Sequence, residues 1–559
     1  MSERGDADLV LTGGAVYTVD AVRSWAEAVA VRNGKIVAVG RDADVVDLVG
    51  TRTEVIELRG RMVLPGFQDA HIHASAGGLE RIRCDLSESH TLDDYLRLIR
   101  EYADRDPEAE WITGGGWAMD VFPGGVAGRE ELDRVVPDRP VFLSNRDHHA
   151  AWVNSRALEL AGVAAETPDP ADGRVERDQA GNPVGTLQEG AMDLVRPFVP
   201  EPTLHDKRRG ILEAQRYLHS LGVTAWQEAI VGDYAVTPDC FDAYCDLVDR
   251  GELTGRVVGA LWWQRGRGED QIEGLVERRE RAGTGRFRAT SVKIMQDGVL
   301  ENFTGAMLDA YLDAHGRPTG VMGTGYFDAE ALKSFVTRID AEGFQVHSHA
   351  IGDRAVREAL DALEAARRAN GVNDLRPHIA HIQVVQPEDL PRFRRLGVVA
   401  NGQPLWACND PQMTELTIPF LGPERSTWQY PFGSLVRSGA MLAFGSDWSV
   451  SSPNPLWEMH VAVNRTMPPG YTYGESDADQ EVFLPDERID LPTAIAAFTM
   501  GSAYVNHLDD VTGSIEVGKQ ADLVVLSRNL FQGPGDRIAE NQVELTLVDG
   551  KVVFEVVRS

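Results

Sequence analysis

The strongest constraint on this chain is a run of apolar segments alternating with helix-period segments from about residue 221 onward. The strand candidates read GVTAWQEAI, GRVVGALWW, ATSVKIMQDG, FQVHSHAIG, PHIAHIQVV, GVVANGQPLW and AMLAFGSDWS. Between most of them lie amphipathic patterns such as DAEALKSFVTRIDAEG and DRAVREALDALEAARRANG, the second ending at Gly371 in a helix C-cap. The run from Met62 to His73 adds an eighth strand. That count predicts an α/β fold, a (β/α)8 TIM-like barrel. A doubly wound open sheet produces a similar alternation and is the competing expectation.

Both ends of the chain have a different texture. ADLVLTGGAVYTVD, AEAVAVRNGKIVAVG and TEVIELRGRMVL read as short strands, with Asn33-Gly34 as a hairpin turn. ADLVVLSRNLF and ELTLVDGKVVFEVV repeat the pattern at the other end, with Asp549-Gly550 as a turn. The expectation is a small β-sandwich built from both termini (1–61 and 505–559) and a barrel over 62–89 and 196–504. Residues 90–195 are too long for a βα loop and too apolar for disorder. They are expected to form a subdomain inserted after the first barrel strand, on the face where barrel enzymes bind substrate.

Composition narrows the function. A net charge of −31 disfavours nucleic acid. No window reaches the apolar length of a membrane span, and MSERGDADLV does not read as a signal peptide. Cys84, Cys240, Cys245 and Cys408 have no zinc-ribbon or CxxC spacing, so a reduced, cytoplasmic protein is expected. The expected partner is a small molecule; a homodimer is compatible with the sequence.

The polar residues at the ends of these strands suggest chemistry. The stretch LPGFQDAHIHA closes an apolar run with Asp69, His71 and His73. His71 and His73, two apart on a strand, share a side. Lys293 lies in SVKIMQDG, His347 and His349 in FQVHSHAIGD, His378 and His381 in RPHIAHIQVV, and Asp447 in MLAFGSDWSV. Barrel strands aim their C-terminal ends at one mouth, so these residues can converge although far apart in sequence. Strand pairing cannot present all six histidines, and His349 and His381 are the preferred members of their pairs. Histidine nitrogens and a carboxylate suit Zn²⁺ and similar ions. Lys293 would be repelled by a cation; it either pairs with an acid such as Asp297 or reacts with CO₂ to give an anionic carbamate.

Taken in order, these motifs resemble the amidohydrolase superfamily. LPGFQDAHIHA is similar to its opening motif and TGSIEVGKQADLVVL to its closing one. HAIGDRAV, KIMQDGVLENFTGAML and HAAWVNSRALELAG resemble its type-3 branch, which includes N-substituted formamide deformylases. The resemblance implies metal ligands at His71, His73, Lys293, His349, His381 and Asp447. It further implies two Zn²⁺ per chain bridged by carboxylated Lys293, with Asp447 also the catalytic proton shuttle. Many relatives carry an acid just before the strand-six histidine, where this chain has Ala380.

The implied activity is hydrolysis of an amide or formamide-type C–N bond by a metal-activated hydroxide. Alternatives are a mononuclear deaminase or cyclic-amide hydrolase of the same fold, and a metal-free scaffold. Substrate choice would come from the aromatic-rich segment holding Trp111, Trp117, Phe122, His148, His149 and Trp152, with Trp406 beyond it. His149 is the leading substrate contact, with Trp117 and His347 as further candidates.

Overall fold

The computed structural model describes residues 5–87, 89–234, 238–471 and 481–557. Residues 1–4, 88, 235–237, 472–480 and 558–559, which fall in the ranges expected for the terminal and barrel units, lie outside that description. The eight expected strands form one sheet in chain order: β1 (Phe67–Ile72), β2 (Val223–Val231), β3 (Arg256–Trp262), β4 (Phe287–Met295), β5 (Gln345–Ala350), β6 (His378–His381), β7 (Val399–Gly402) and β8 (Leu442–Phe444). Each neighbouring pair is parallel. The strands are buried on both faces, which is why they read as apolar runs rather than alternations. Helices such as Ile272–Ala282, Ala329–Ala341 and Asp353–Asn370 separate them, and the last ends at Gly371 with φ 85°.

The sheet curls into a TIM-like barrel because β8 meets β1. Asp447 N donates to His71 O at 2.8 Å and His73 N to Trp448 O at 2.7 Å. Gly445 permits this approach: a Cβ there would stand 2.4 Å from His71 N. The Asp69 carboxylate reinforces the seam, accepting from His71 N at 3.0 Å and from Ser446 Oγ at 2.6 Å.

The run from Met62 to His73 is not one strand. Met62–Pro65 leaves the barrel to pair antiparallel with Leu523–Leu526 and parallel with Ala15–Tyr17. Gly66 is the joint, packed so closely that a Cβ would meet Thr224 Oγ1 at 2.4 Å. An unbroken apolar run does not record which of two sheets each half joins.

Met62–Pro65 thus sits in a six-stranded sheet that draws strands from both ends of the chain. A four-stranded sheet holds Leu9–Thr12, Ala28–Arg32, Lys35–Gly40 and Glu54–Glu57. Leu11, Val29 and Val31 from the second share one apolar cluster with Val63, Leu523 and Leu547 from the first. Both sequence-read turns are present: Asn33 and Gly34 have φ of 51° and 76°, Asp549 and Gly550 of 49° and 69°. Two successive positive φ values are what a two-residue hairpin needs. A third sheet of six strands runs from Cys84–Asp85 to Pro183–Glu189. Among the described residues no helix is long and apolar enough to cross a membrane.

Candidate metal centre

The C-terminal ends of β1, β6 and β8 bring His71, His73, His381 and Asp447 together at the barrel mouth. Asp447 Oδ1 lies 3.2 Å from His71 Nε2 and 3.0 Å from His73 Nε2, yet has no hydrogen-bond partner. His381 Nδ1, also without a hydrogen-bond partner, is 3.8 Å from Asp447 Oδ2. One ligand atom each from His71, His381 and Asp447 fall within 4.8 Å of one another, all buried. Buried polar atoms are normally paired. Imidazole nitrogens and a carboxylate oxygen converging at these distances fit a divalent cation placed among them.

Electrostatics agree with that donor set. Burial lowers the pKa of all three imidazoles, His71 to about 3 with help from Lys293, so each ring is neutral at neutral pH and keeps one lone-pair nitrogen able to ligate. Burial works against the Asp447 charge, but the flanking imidazoles hold its pKa well below the ordinary carboxylate range. The backbone also departs from ordinary geometry here, with φ of 77° at His381 and 54° at Asp447. Non-glycine residues rarely adopt such values, and functional sites are where they cluster.

Lys293 lies in β4 with Nζ 3.5 Å from His71 Nε2. Burial pulls its pKa down to about 7, against the opposing pull of Asp447. Asp297, the alternative partner for this lysine, is occupied elsewhere. It accepts from Ala306 N at 2.9 Å, Ile351 N at 3.0 Å and Gly352 N at 2.8 Å. His349 lines the same cavity with its ring 4.3 Å from that of His381, while its Nε2 sits 3.4 Å from Asp297 Oδ1. The structure therefore brings Lys293 and His349 beside His71 and His381 at the same cavity.

The profile of the amidohydrolase family matches residues 54–554. The chain belongs to the amidohydrolase family. Among its relatives, the Arabidopsis thaliana protein LONG AFTER FAR-RED 3 is 32% identical over 98% of this chain and 92% of its own length. The N-substituted formamide deformylase of Arthrobacter pascens is 28% identical over 98% of each chain. The solved structure of an uncharacterized metal-dependent hydrolase from Pyrococcus horikoshii superposes with a TM-score of 0.72 at 25% identity. That match covers 94% of this chain and 99% of the other.

In this amidohydrolase the surplus histidines have identifiable work. His378 uses both nitrogens, Nε2 on Gln227 Oε1 at 2.9 Å and Nδ1 on Asn401 Nδ2 at 3.1 Å. It has no lone pair left to offer, which separates it from His381. His347 is fully buried, with Nε2 2.7 Å from His71 Nδ1. Alternation along β5 puts His347 and His349 on the same side of the strand. Trp117 packs in a separate apolar cluster. Its indole is fully buried, donates to Leu143 O at 2.9 Å and packs against Phe122 and Trp152 in the core of the third sheet.

The cavity above the centre is lined by His149, Trp406, Tyr234 and Met295 among others. Trp406 stacks on His381 at 5.6 Å. His149 and Glu189 form a buried pair with Nδ1 and Oε1 2.9 Å apart. Burial disfavours the His149 charge, but Glu189 outweighs it and raises the pKa to about 9. Glu80, Glu189 and Glu228 carried no sequence signal, since each acquires its partner only through folding.

Proposed function

We propose that this amidohydrolase is a metal-dependent hydrolase of an amide or formamide-type C–N bond in a small molecule. The observation that carries the reading is Asp447 Oδ1 between two histidine nitrogens, buried and without a hydrogen-bond partner. His71, His73, His381 and Asp447 would hold the first ion. Lys293, as a carbamate formed when its uncharged amine adds CO₂ and releases a proton, would bridge to a second ion held with His349. Bound there, a divalent metal such as Zn²⁺ supplies Lewis acidity and lowers the pKa of an attacking water.

The chain's own residues do the rest. Asp447 accepts the water proton at a carboxylate oxygen and returns it to the leaving nitrogen, which departs as an amine rather than an amide anion. The buried walls exclude bulk water from this transfer. The terminal sheets act as a β-sandwich bracing the barrel, and residues 90–195 as a subdomain that roofs the cavity and contributes His149 to substrate contact. A cytoplasmic location accords with the sequence.

The relative that hydrolyses N-substituted formamides supports that substrate class as the first screen. The test is elemental analysis of chain purified with zinc and bicarbonate, followed by assay on N-substituted formamides. Two equivalents of metal with turnover are expected. One equivalent favours the mononuclear reading, and none with no turnover sinks the proposal.

A further inference from the structure

Two consecutive histidines, His148 and His149, hang over the barrel mouth, and their rings diverge. His148 lies 6.1 Å from the ring of His73, and His149 lies 6.2 Å from the ring of His349. They therefore flank the centre on two sides. Each is backed by a buried glutamate, His148 by Glu80 and His149 by Glu189, both at 2.9 Å.

The two pairs differ in the nitrogen they use. His148 engages Nε2, which faces both Glu80 and Ser449 Oγ, the latter at 3.1 Å. His149 engages Nδ1, and among the described residues no protein group meets its Nε2. Its side chain lines the cavity.

Glu189 is held in place from several directions. Its backbone sits at φ 50°, ψ −130°, uncommon for a residue with a side chain. Its N–H donates to His149 O at 2.8 Å, and its Oε1 accepts from Thr304 Oγ1 at 3.1 Å. Thr304 follows β4, so the pair ties the roof of the cavity to the barrel that carries Lys293. A fixed Nδ1 leaves the ring one free direction, into the cavity.

We infer that His149 is a catalytic residue whose Nε2–H donates to the carbonyl oxygen of the bound amide, and that Glu189 is its positioning residue. This rests on the amide-hydrolase reading above. The donor gains most as negative charge develops on that oxygen, where a preorganised N–H contributes more than it does to the ground state.

The test uses the metal-loaded full chain. In His149→Asn the side-chain amide takes the place of Nδ1 and keeps its bond to Glu189, while the arm facing the cavity is removed. With an N-substituted formamide, kcat should fall about 100-fold while KM and metal content hold. Glu189→Gln, which keeps its shape, should lower kcat by a smaller factor at unchanged metal content. Unchanged kcat in His149→Asn overturns the inference. A wild-type chain that turns over no amide defeats the hydrolase reading instead, and the contact is then read by calorimetric titration with formate. Formate binding about tenfold weaker in His149→Asn supports it; binding that is equal in the two proteins, or absent from the wild type, overturns it.

Discussion

Lys293 is the residue on which the two-metal reading turns. A buried ammonium 3.5 Å from a neutral imidazole has little to compensate its desolvation, which is why its pKa falls to about 7. An amine that is substantially uncharged near neutrality is able to add CO₂. Lys293→Ala should therefore lower metal content and reduce activity by about 100-fold, with partial recovery on adding acetate or propionate. Full activity without added acid would remove the carbamate from the account. Glu228 offers a separate test. Burial raises its pKa from 4.5 to about 7, against hydrogen bonds from Tyr244 and Ser75. The folded chain therefore holds a proton that the unfolded chain releases above pH 4.5. The sign follows: stability is fullest below pH 4.5 and is lost as pH rises to about 7, by up to about 3 kcal/mol. Glu228→Gln has no proton to lose there. The metal-free variant should show a flatter urea midpoint between pH 5 and 8 than the wild type, and parallel profiles would refute it.

At the scale of elements, the seam between β1 and β8 decides whether the centre forms. His71 and His73 come from one side of it and Asp447 from the other, and the contact is backbone against backbone. A methyl group at Gly445 would press on His71 N at 2.4 Å. Gly445→Ala should open the seam, destabilise the chain by about 1–3 kcal/mol and weaken metal retention about tenfold or more. Chelator competition and a denaturation midpoint would both report it; wild-type values in both would show that the seam tolerates the change. The strands themselves were legible in sequence because burial on both faces writes an apolar run. The break at Gly66 was not, since the residues on either side of it are equally apolar. His71, His73, Lys293, His381 and Asp447 were legible as candidates because their types stand out at strand ends. The choice of His381 over His378 depends on Gln227 and Asn401, whose relation to His378 no spacing reveals.

Across the whole molecule, the barrel is fastened to the terminal sheets by buried charge. Arg256 at the start of β3 meets Asp522 at 2.7 Å and also pairs with Asp549, which Arg286 reaches as well. The Asp522 side chain is fully buried. Arg256→Met would leave that carboxylate without its cation and should cost about 3–5 kcal/mol. Metal content should not change, because the junction lies at the end of the barrel opposite the centre. A midpoint unmoved by the substitution would show that the Arg256–Asp522 pair does not hold the two parts together. The sequence by itself determined the class of fold, the order of the strands and the kinds of side chain placed at their ends, because burial and backbone period are local properties of the chain. Tertiary structure alone decided which sheet Met62–Pro65 joins, which histidines keep a free lone pair, and which glutamates stand behind His148 and His149. Those outcomes depend on hydrogen-bond partners that are tens to hundreds of residues apart and that meet only when the barrel closes.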